Sequence, residues 1–101
     1  MATKYHNITG ELTQALLEAG DNLNVSKISL TNIEGTNNCT VDLYIEKVGL
    51  GKFYILKGVE LPTDATLQHD ISFSNSTNGF GLFIKLTKSA SETPAVDVIL
   101  Q

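Results

Sequence analysis

The sequence predicts an all-β fold: a single antiparallel β-sandwich or jelly roll of about seven to eight short strands spanning residues 1–101. Strict alternation is the first reason. Cys39, Val41, Leu43 and Ile45 share one face of a strand, with Thr40, Asp42, Tyr44 and Glu46 on the other. Phe80, Leu82, Ile84 and Leu86 repeat the pattern against Gly81, Phe83, Lys85 and Thr87. Val96, Val98 and Leu100 repeat it against Asp97 and Ile99. The second reason is punctuation, since clusters of Gly, Asn, Ser and Pro separate the apolar segments at sandwich spacing. A chain of 101 residues, 42% of them hydrophobic, buries roughly two-thirds of its unfolded surface, which is enough for one two-layer core.

Taken in order, Thr3–Thr9 reads as an edge strand. Glu11 to Gly20 is ambiguous: Leu12, Ala15, Leu16 and Ala19 have helical spacing, with Gly20 as a candidate residue just past a helix end. Periodicity slightly favours a short helix; the competitor is an extended segment closed by a Gly20-Asp21-Asn22 turn. Val25 to Ile33 is rich in β-formers, but Val25 and Ile28 are out of phase, which calls for a bulge. Phe53-Tyr54-Ile55-Leu56 is apolar on both faces and predicts a covered strand. Val59 to Leu61 continues it after a bend at Gly58. Thr66 to Phe73 is a further strand with Leu67, Ile71 and Phe73 inward. Turns are expected at 35–38, 49–51, 62–64, 74–79 and 89–94, with Pro62 and Pro94 at strand boundaries. Val96–Leu100 is a second candidate edge strand.

Charge excludes several functions. Seven lysines face 11 acidic residues, no arginine is present, and the net charge is −4. A phosphate-binding surface needs clustered cations, and a guanine edge or carboxylate is best held by a guanidinium fork, so no nucleic-acid partner is expected. No apolar run reaches the length of a transmembrane helix, and the N-terminus lacks a secretory pattern, so no membrane partner is expected either. The single cysteine, Cys39, closes no internal disulfide and fits a reducing compartment. The glycosylation-type triplets at Asn7, Asn24, Asn38 and Asn75 then reflect an Asn/Ser/Thr-rich composition.

Catalytic chemistry has few actors. Cys39 is expected on the apolar face of a strand, where a thiol is protonated and inert. A Cys39–His69 pair has no motif behind it. His69 and Asp70, adjacent on a strand, point to opposite faces and do not converge on one ion. Two histidines and one cysteine are a thin zinc set, and no calcium loop or phosphate-binding glycine motif occurs. No catalytic residue, metal or cofactor is therefore assigned. Sugar binding favours aromatic platforms; with tryptophan absent, only Tyr5, Tyr44 and Tyr54 supply phenol rings. Tyr44, on the polar face of its strand, is expected to be exposed. A surface rich in Asn, Ser and Thr loses little side-chain entropy when covered and suits protein–protein contact.

The run Lys4-Tyr5-His6-Asn7-Ile8, a turn at Gly20-Asp21-Asn22, and the segments Ile28-Ser29-Leu30-Thr31-Asn32 and Val41-Asp42-Leu43-Tyr44-Ile45 set out a layout. Phe53-Tyr54-Ile55-Leu56-Lys57, Val59-Glu60-Leu61-Pro62 and Val96-Asp97-Val98-Ile99 complete it. Over nearly the whole chain it resembles small virion proteins of tailed bacteriophages, especially those of marine and cyanobacterial hosts. The resemblance implies a β-sandwich or jelly-roll accessory subunit without chemistry of its own, and it tilts Glu11–Ala19 toward an extended segment, against the periodicity. Such a subunit decorates and cements the capsid or sits in the neck, tail or fibres. It implies a virion location after synthesis in the host cytoplasm, the major capsid protein or other virion proteins as partners, and homo-oligomeric assembly. Candidate contact residues are Tyr5, Tyr44 and Phe83, although Phe83 also fits a core on the second face. A carbohydrate-binding module is the competing reading from another class.

Overall fold

The computed structural model describes residues 4–11, 13–18, 24–74, 79–89, 91 and 93–101. Eight strands run in chain order: β1 (Lys4–Thr9), β2 (Thr13–Leu17), β3 (Asn24–Asn32), β4 (Cys39–Lys47), β5 (Gly51–Leu61), β6 (Thr66–Ser74), β7 (Gly81–Lys88) and β8 (Ala95–Leu100). They form two antiparallel four-stranded sheets, β1-β8-β3-β6 and β2-β7-β4-β5. Every connection but one carries the chain from one sheet to the other. Only β4 and β5 are consecutive strands paired in the same sheet. This is a jelly roll, the strand order that alternation alone left open.

The alternating segments form the core as expected. Val41, Leu43, Leu82, Ile84 and Leu86 from one sheet meet Ile8, Ile28, Leu30, Val96, Val98 and Leu100 from the other, all essentially inaccessible to water. Leu67, Ile71 and Phe73 of β6 also turn inward, and Cys39 is buried at the start of β4. The bulge called for by Val25 and Ile28 is present. The amides of Ser26 and Lys27 both donate to the carbonyl of Gln101, at 2.7 and 3.0 Å, so two β3 residues face one partner and Val25 and Ile28 both reach the core.

One open alternative is decided and two expectations are corrected. First, the extended reading holds for the described part of Glu11 to Gly20: Ala15 and Leu16 belong to a strand, β2, while Leu12, Ala19 and Gly20 lie outside the described residues. Its register against β7 slips between Ala15 and Leu17, which lets the consecutive side chains Leu16 and Leu17 both bury. A bulge in a strand thus mimics helical periodicity; the expected Gly20-Asp21-Asn22 turn lies outside the described residues. Second, the segment Phe53–Leu56 is not covered. It lies in an edge strand, with Phe53 49% and Tyr54 44% exposed. Two register shifts against β4 break the period of two, so the apolar run does not mean burial on both faces. Third, Val96–Leu100 is not an edge: β8 lies between β1 and β3, and β1 is the edge strand.

Asn32 is the one buried polar residue among those described, with no exposure to water. Its Nδ2 donates to the carbonyls of Asn37 (3.0 Å) and Leu61 (2.9 Å), and its Oδ1 accepts the amide of Glu34 at 2.9 Å. Its own backbone joins the Pro62–Ala65 turn through Ala65 and Asp64. The side chain thereby ties β3 of one sheet to the end of β5 in the other. Around it, the Glu34 carboxylate accepts from the amides of Asn37 (2.7 Å) and Thr36 and from the Thr36 hydroxyl (3.0 Å). Desolvation in the loop pushes the Glu34 carboxyl up, but the hydrogen bonds from Asn37 and Thr36 together outweigh it and hold it below its usual value of 4.5.

Replacing Asn32 by Ala strands the buried Leu61 carbonyl and leaves the part-buried Asn37 carbonyl and Glu34 amide without this partner, and is expected to lower the unfolding free energy by about 2–4 kcal/mol in urea titrations. Glu34 gives a pH test. A carboxyl depressed by folding stabilises above its unfolded value, and that contribution disappears as pH falls through the folded value. The stability advantage of wild type over Glu34→Gln is therefore expected at neutral pH and should vanish on acidification below about pH 4.5.

Candidate functional site

The two outer faces of the sandwich differ in chemistry. Across the outer face of β2-β7-β4-β5, cross-strand pairing places Ala15, Phe83, Tyr44 and Tyr54 in one row. Tyr44 stacks on Phe83 (ring centroids 5.6 Å, 18° between planes) and meets Tyr54 at 5.3 Å and 51°. The Lys52 ammonium lies 4.9 Å from the Tyr44 ring centre, and the Lys57 ammonium 4.4 Å from that of Tyr54. Tyr44 is consequently only 3% exposed, against the expectation from its polar-face position. A face polar in pattern has been roofed by neighbouring rings and lysine stems. Phe83 is half-buried in this row, the second-face packing that was its alternative reading.

Exposed apolar side chains gather instead at the β4–β5 hairpin. Val48 is fully exposed and Leu50 59% exposed at its tip, and Phe53 follows on β5, in edge contact with Phe80 at 6.0 Å. The tip is fixed by the amide of Leu50 donating to the Lys47 carbonyl (3.0 Å) and by Gly49 and Gly51, whose φ of 85° and 115° side-chain-bearing residues rarely adopt. Lys47 and Lys52 flank it, paired in the ladder with Gly51 and Glu46. An open cleft of about 270 Å³ lies between the β5 and β6 edges, lined by Ile45 and Ile55 on one sheet and by His69 to Phe73 of β6 on the other. Sequence reasoning took 49–51 only as a turn. The signal it passed over was the placement of valine and leucine, instead of Asn, Asp or Ser, beside the turn glycines.

The remaining candidate, Tyr5, stands on the outer face of the other sheet and is 72% exposed. The three sequence-derived contact residues are thus not brought together: Tyr44 and Phe83 touch, and Tyr5 lies on the opposite sheet. Cys39 and His69 also lie on different sheets, paired with Leu61 and Lys88 and with Ile28 respectively. His69 sits opposite core-facing Ile28 and Asp70 opposite Lys27, so the two point to opposite faces as expected. His6 bridges the sheets, its Nε2–H donating to the Leu16 carbonyl at 3.1 Å. Among the described residues, no group of three His, Cys, Asp or Glu side chains is placed to hold a metal ion.

No family model and no curated protein matches the chain. Solved structures do. PirA shares 10% identity with a TM-score of 0.61, over 95% of this chain and 91% of that one. The Yersinia pseudotuberculosis-derived mitogen shares 17% identity with a TM-score of 0.56, over 99% of this chain and 83% of that one. The VP2 subviral particle of infectious bursal disease virus also matches, at 10% identity and a TM-score of 0.41. The match covers 97% of this chain, which spans about a third (32%) of that one. The likeness to PirA and the mitogen is one of fold, the two-sheet β-sandwich.

Because Tyr44 is packed under its neighbours, it behaves as a core residue. Tyr44→Ala is expected to cost about 3 kcal/mol of stability, measured by thermal or urea unfolding, while Val48→Ala at the open tip should change it by less than about 0.5 kcal/mol.

Proposed function

We propose that this chain is a non-enzymatic structural subunit of a virion, most concretely a decoration or cement protein. In this reading it bridges neighbouring subunits of the major capsid protein or other virion proteins. The observation that carries it is the apolar, conformationally fixed hairpin tip, Val48 and Leu50, continuous with exposed Phe53. Aliphatic side chains held open to water do nothing for the fold, and become favourable when a partner covers them. The resemblance of the layout to small virion proteins of tailed bacteriophages supports the partner class. The acidic, arginine-free composition gives no reason to invoke nucleic acid.

The mechanism is linkage. A ligand that binds only the closed shell stabilises it by its binding free energy, and many weak contacts add when one subunit, or an oligomer of it, touches several partners. A neck, tail or fibre component on the same fold differs in location and copy number only.

Copy number is the direct test. Quantitative mass spectrometry of purified particles is expected to find this chain near parity with the major capsid protein; a ratio lower by an order of magnitude moves it to the neck, tail or fibres. Complete absence ends the virion reading. The double variant Val48→Asp/Leu50→Asp should fold normally, since both side chains are exposed, yet be retained on particles at least about 10-fold less. Wild-type retention would exclude the hairpin as the contact.

A further inference from the structure

We propose that the outer face of the β1–β8 pair is a binding site for a neutral saccharide, with Tyr5 as its platform and Asn7 and Asp97 as its polar edge. The inference does not rest on the virion reading. It begins from the tyrosines. Sugar rings present apolar C–H faces and equatorial hydroxyls, so they are held by an open aromatic face beside fixed planar hydrogen-bonding groups. Of the three tyrosines in this tryptophan-free chain, Tyr44 is enclosed by Phe83, Tyr54 and Lys52, and Tyr54 carries the Lys57 ammonium over its ring. Tyr5 is 72% exposed, and no ring or cation lies on it among the described residues.

Its surroundings supply the rest. In the β1–β8 register Tyr5 is directly opposite Ile99, and Asn7 directly opposite Asp97. These four side chains stand on one face at the corners of a patch roughly 5 by 7 Å, the footprint of one pyranose. They line an open groove of about 340 Å³. The Asn7 Nδ2 donates to Asp97 Oδ1, which sets the orientation of both planar groups before any ligand arrives. That arrangement leaves the amide oxygen of Asn7 and the second carboxylate oxygen of Asp97 as acceptors for sugar hydroxyls. Ile99, 36% exposed, extends the apolar floor. On the far side of β8, Ser29 lies opposite Ile99 and Thr31 opposite Asp97, so hydroxyl groups continue the surface where a second sugar residue would lie.

Charge selects the class. Among the described residues lining the groove, Asp97 is the one carboxylate and no lysine is present, while His6 turns its Nε2 away to the Leu16 carbonyl; this disfavours sialic or uronic acids, sulfated glycans and phosphates. A neutral hexose or N-acetylhexosamine satisfies the acceptors without opposing the carboxylate. The one other chemistry that suits an open ring beside a carboxylate is a cation, the ammonium or guanidinium of a protein side chain. The continuous row of small hydroxyl and amide groups favours the sugar.

The test is amide chemical-shift perturbation on the full chain, titrated with the methyl glycosides of galactose, glucose, mannose, N-acetylglucosamine and N-acetylgalactosamine. At least one is expected to bind with a Kd on the order of 1 mM, with shifts confined to Tyr5, Asn7, Asp97, Ile99 and their ladder partners. Tyr5→Ala and Asp97→Ala should each weaken it about 10-fold or more, Tyr5→Phe should leave it within about 2-fold, and Tyr54→Ala should leave it unchanged. The exposed Tyr5 ring can be removed without disturbing the core, and the unperturbed spectrum of the remaining residues verifies that. Three outcomes overturn the proposal: no perturbation by any of the five glycosides at about 100 mM, perturbation centred on β5 instead, or perturbation of this groove by acetyl-arginine amide or acetyl-lysine amide alone. The last would make it a contact for a basic protein segment.

Discussion

Two sheets packed face to face share no backbone hydrogen bonds, so the polar ends of a sandwich are where its layers must be joined by other means. In this chain the Asn32 amide makes that join. With its two N–H groups on carbonyls of the β3–β4 loop and of β5, and its oxygen on the Glu34 amide, it satisfies three backbone groups, one buried and two part-buried. The turn at Pro62–Ala65 then closes on the Asn32 backbone, and Thr63 reaches back to the Glu34 carbonyl and to Asn38. Position of the β5 end follows from this hub. So does the register of the β4–β5 hairpin, whose strands start from Cys39 opposite Leu61.

The two lateral sides of the sandwich are unequal. On the β1–β2 side, His6 spans the layers to Leu16, the Gly10 amide bonds to Pro94, and Glu11 holds the Lys88 amide. On the β5–β6 side the layers part over Ile45, Ile55 and Ile71. Edge protection follows a similar division. β2 and β5 carry bulges, and β5 also carries Lys52 and Lys57, devices that discourage pairing with another strand. β1 keeps an unbroken register from Lys4 to Thr9, with Lys4 as its lysine at the first position. Of these three edges, β1 is the one whose register is free of a bulge.

The sequence was most informative where one principle acted alone. Alternation in 39–46, 80–87 and 96–100 identified the buried faces, and Pro62 and Pro94 do lie just outside strand ends. It misled where a bulge changed the period. The adjacent apolar pair Ala15-Leu16 fitted a helix as well as a strand because a bulge in β2 breaks the alternation, and Phe53–Leu56 looked covered because an apolar run does not reveal that β5 is an edge strand with two register shifts. Tyr44 was misread for a different reason. Its face is polar in pattern, and only the cross-strand register reveals that Phe83, Tyr54 and Lys52 converge on it. Register is non-local, so periodicity within one strand carries no trace of it. Of the candidate contact residues, Tyr5 alone kept the exposure expected of a contact.

That distribution explains why the two surfaces suit different tasks. Lys52 and Lys57 lie over rings that would otherwise be open platforms, so the aromatic row on the hairpin sheet is already satisfied within the chain. What remains unsatisfied there is aliphatic: Val48 and Leu50, held by Gly49, Gly51 and the Lys47–Leu50 bond in one conformation. A preformed apolar knob loses little order on docking, which favours a protein partner with a matching hollow. On the other sheet the open ring and the fixed amide–carboxylate pair are polar and shallow, suited to a small hydroxylated ligand. The hairpin and the Tyr5 groove belong to different sheets, so the two proposed contacts use different strands and neither needs the other's residues.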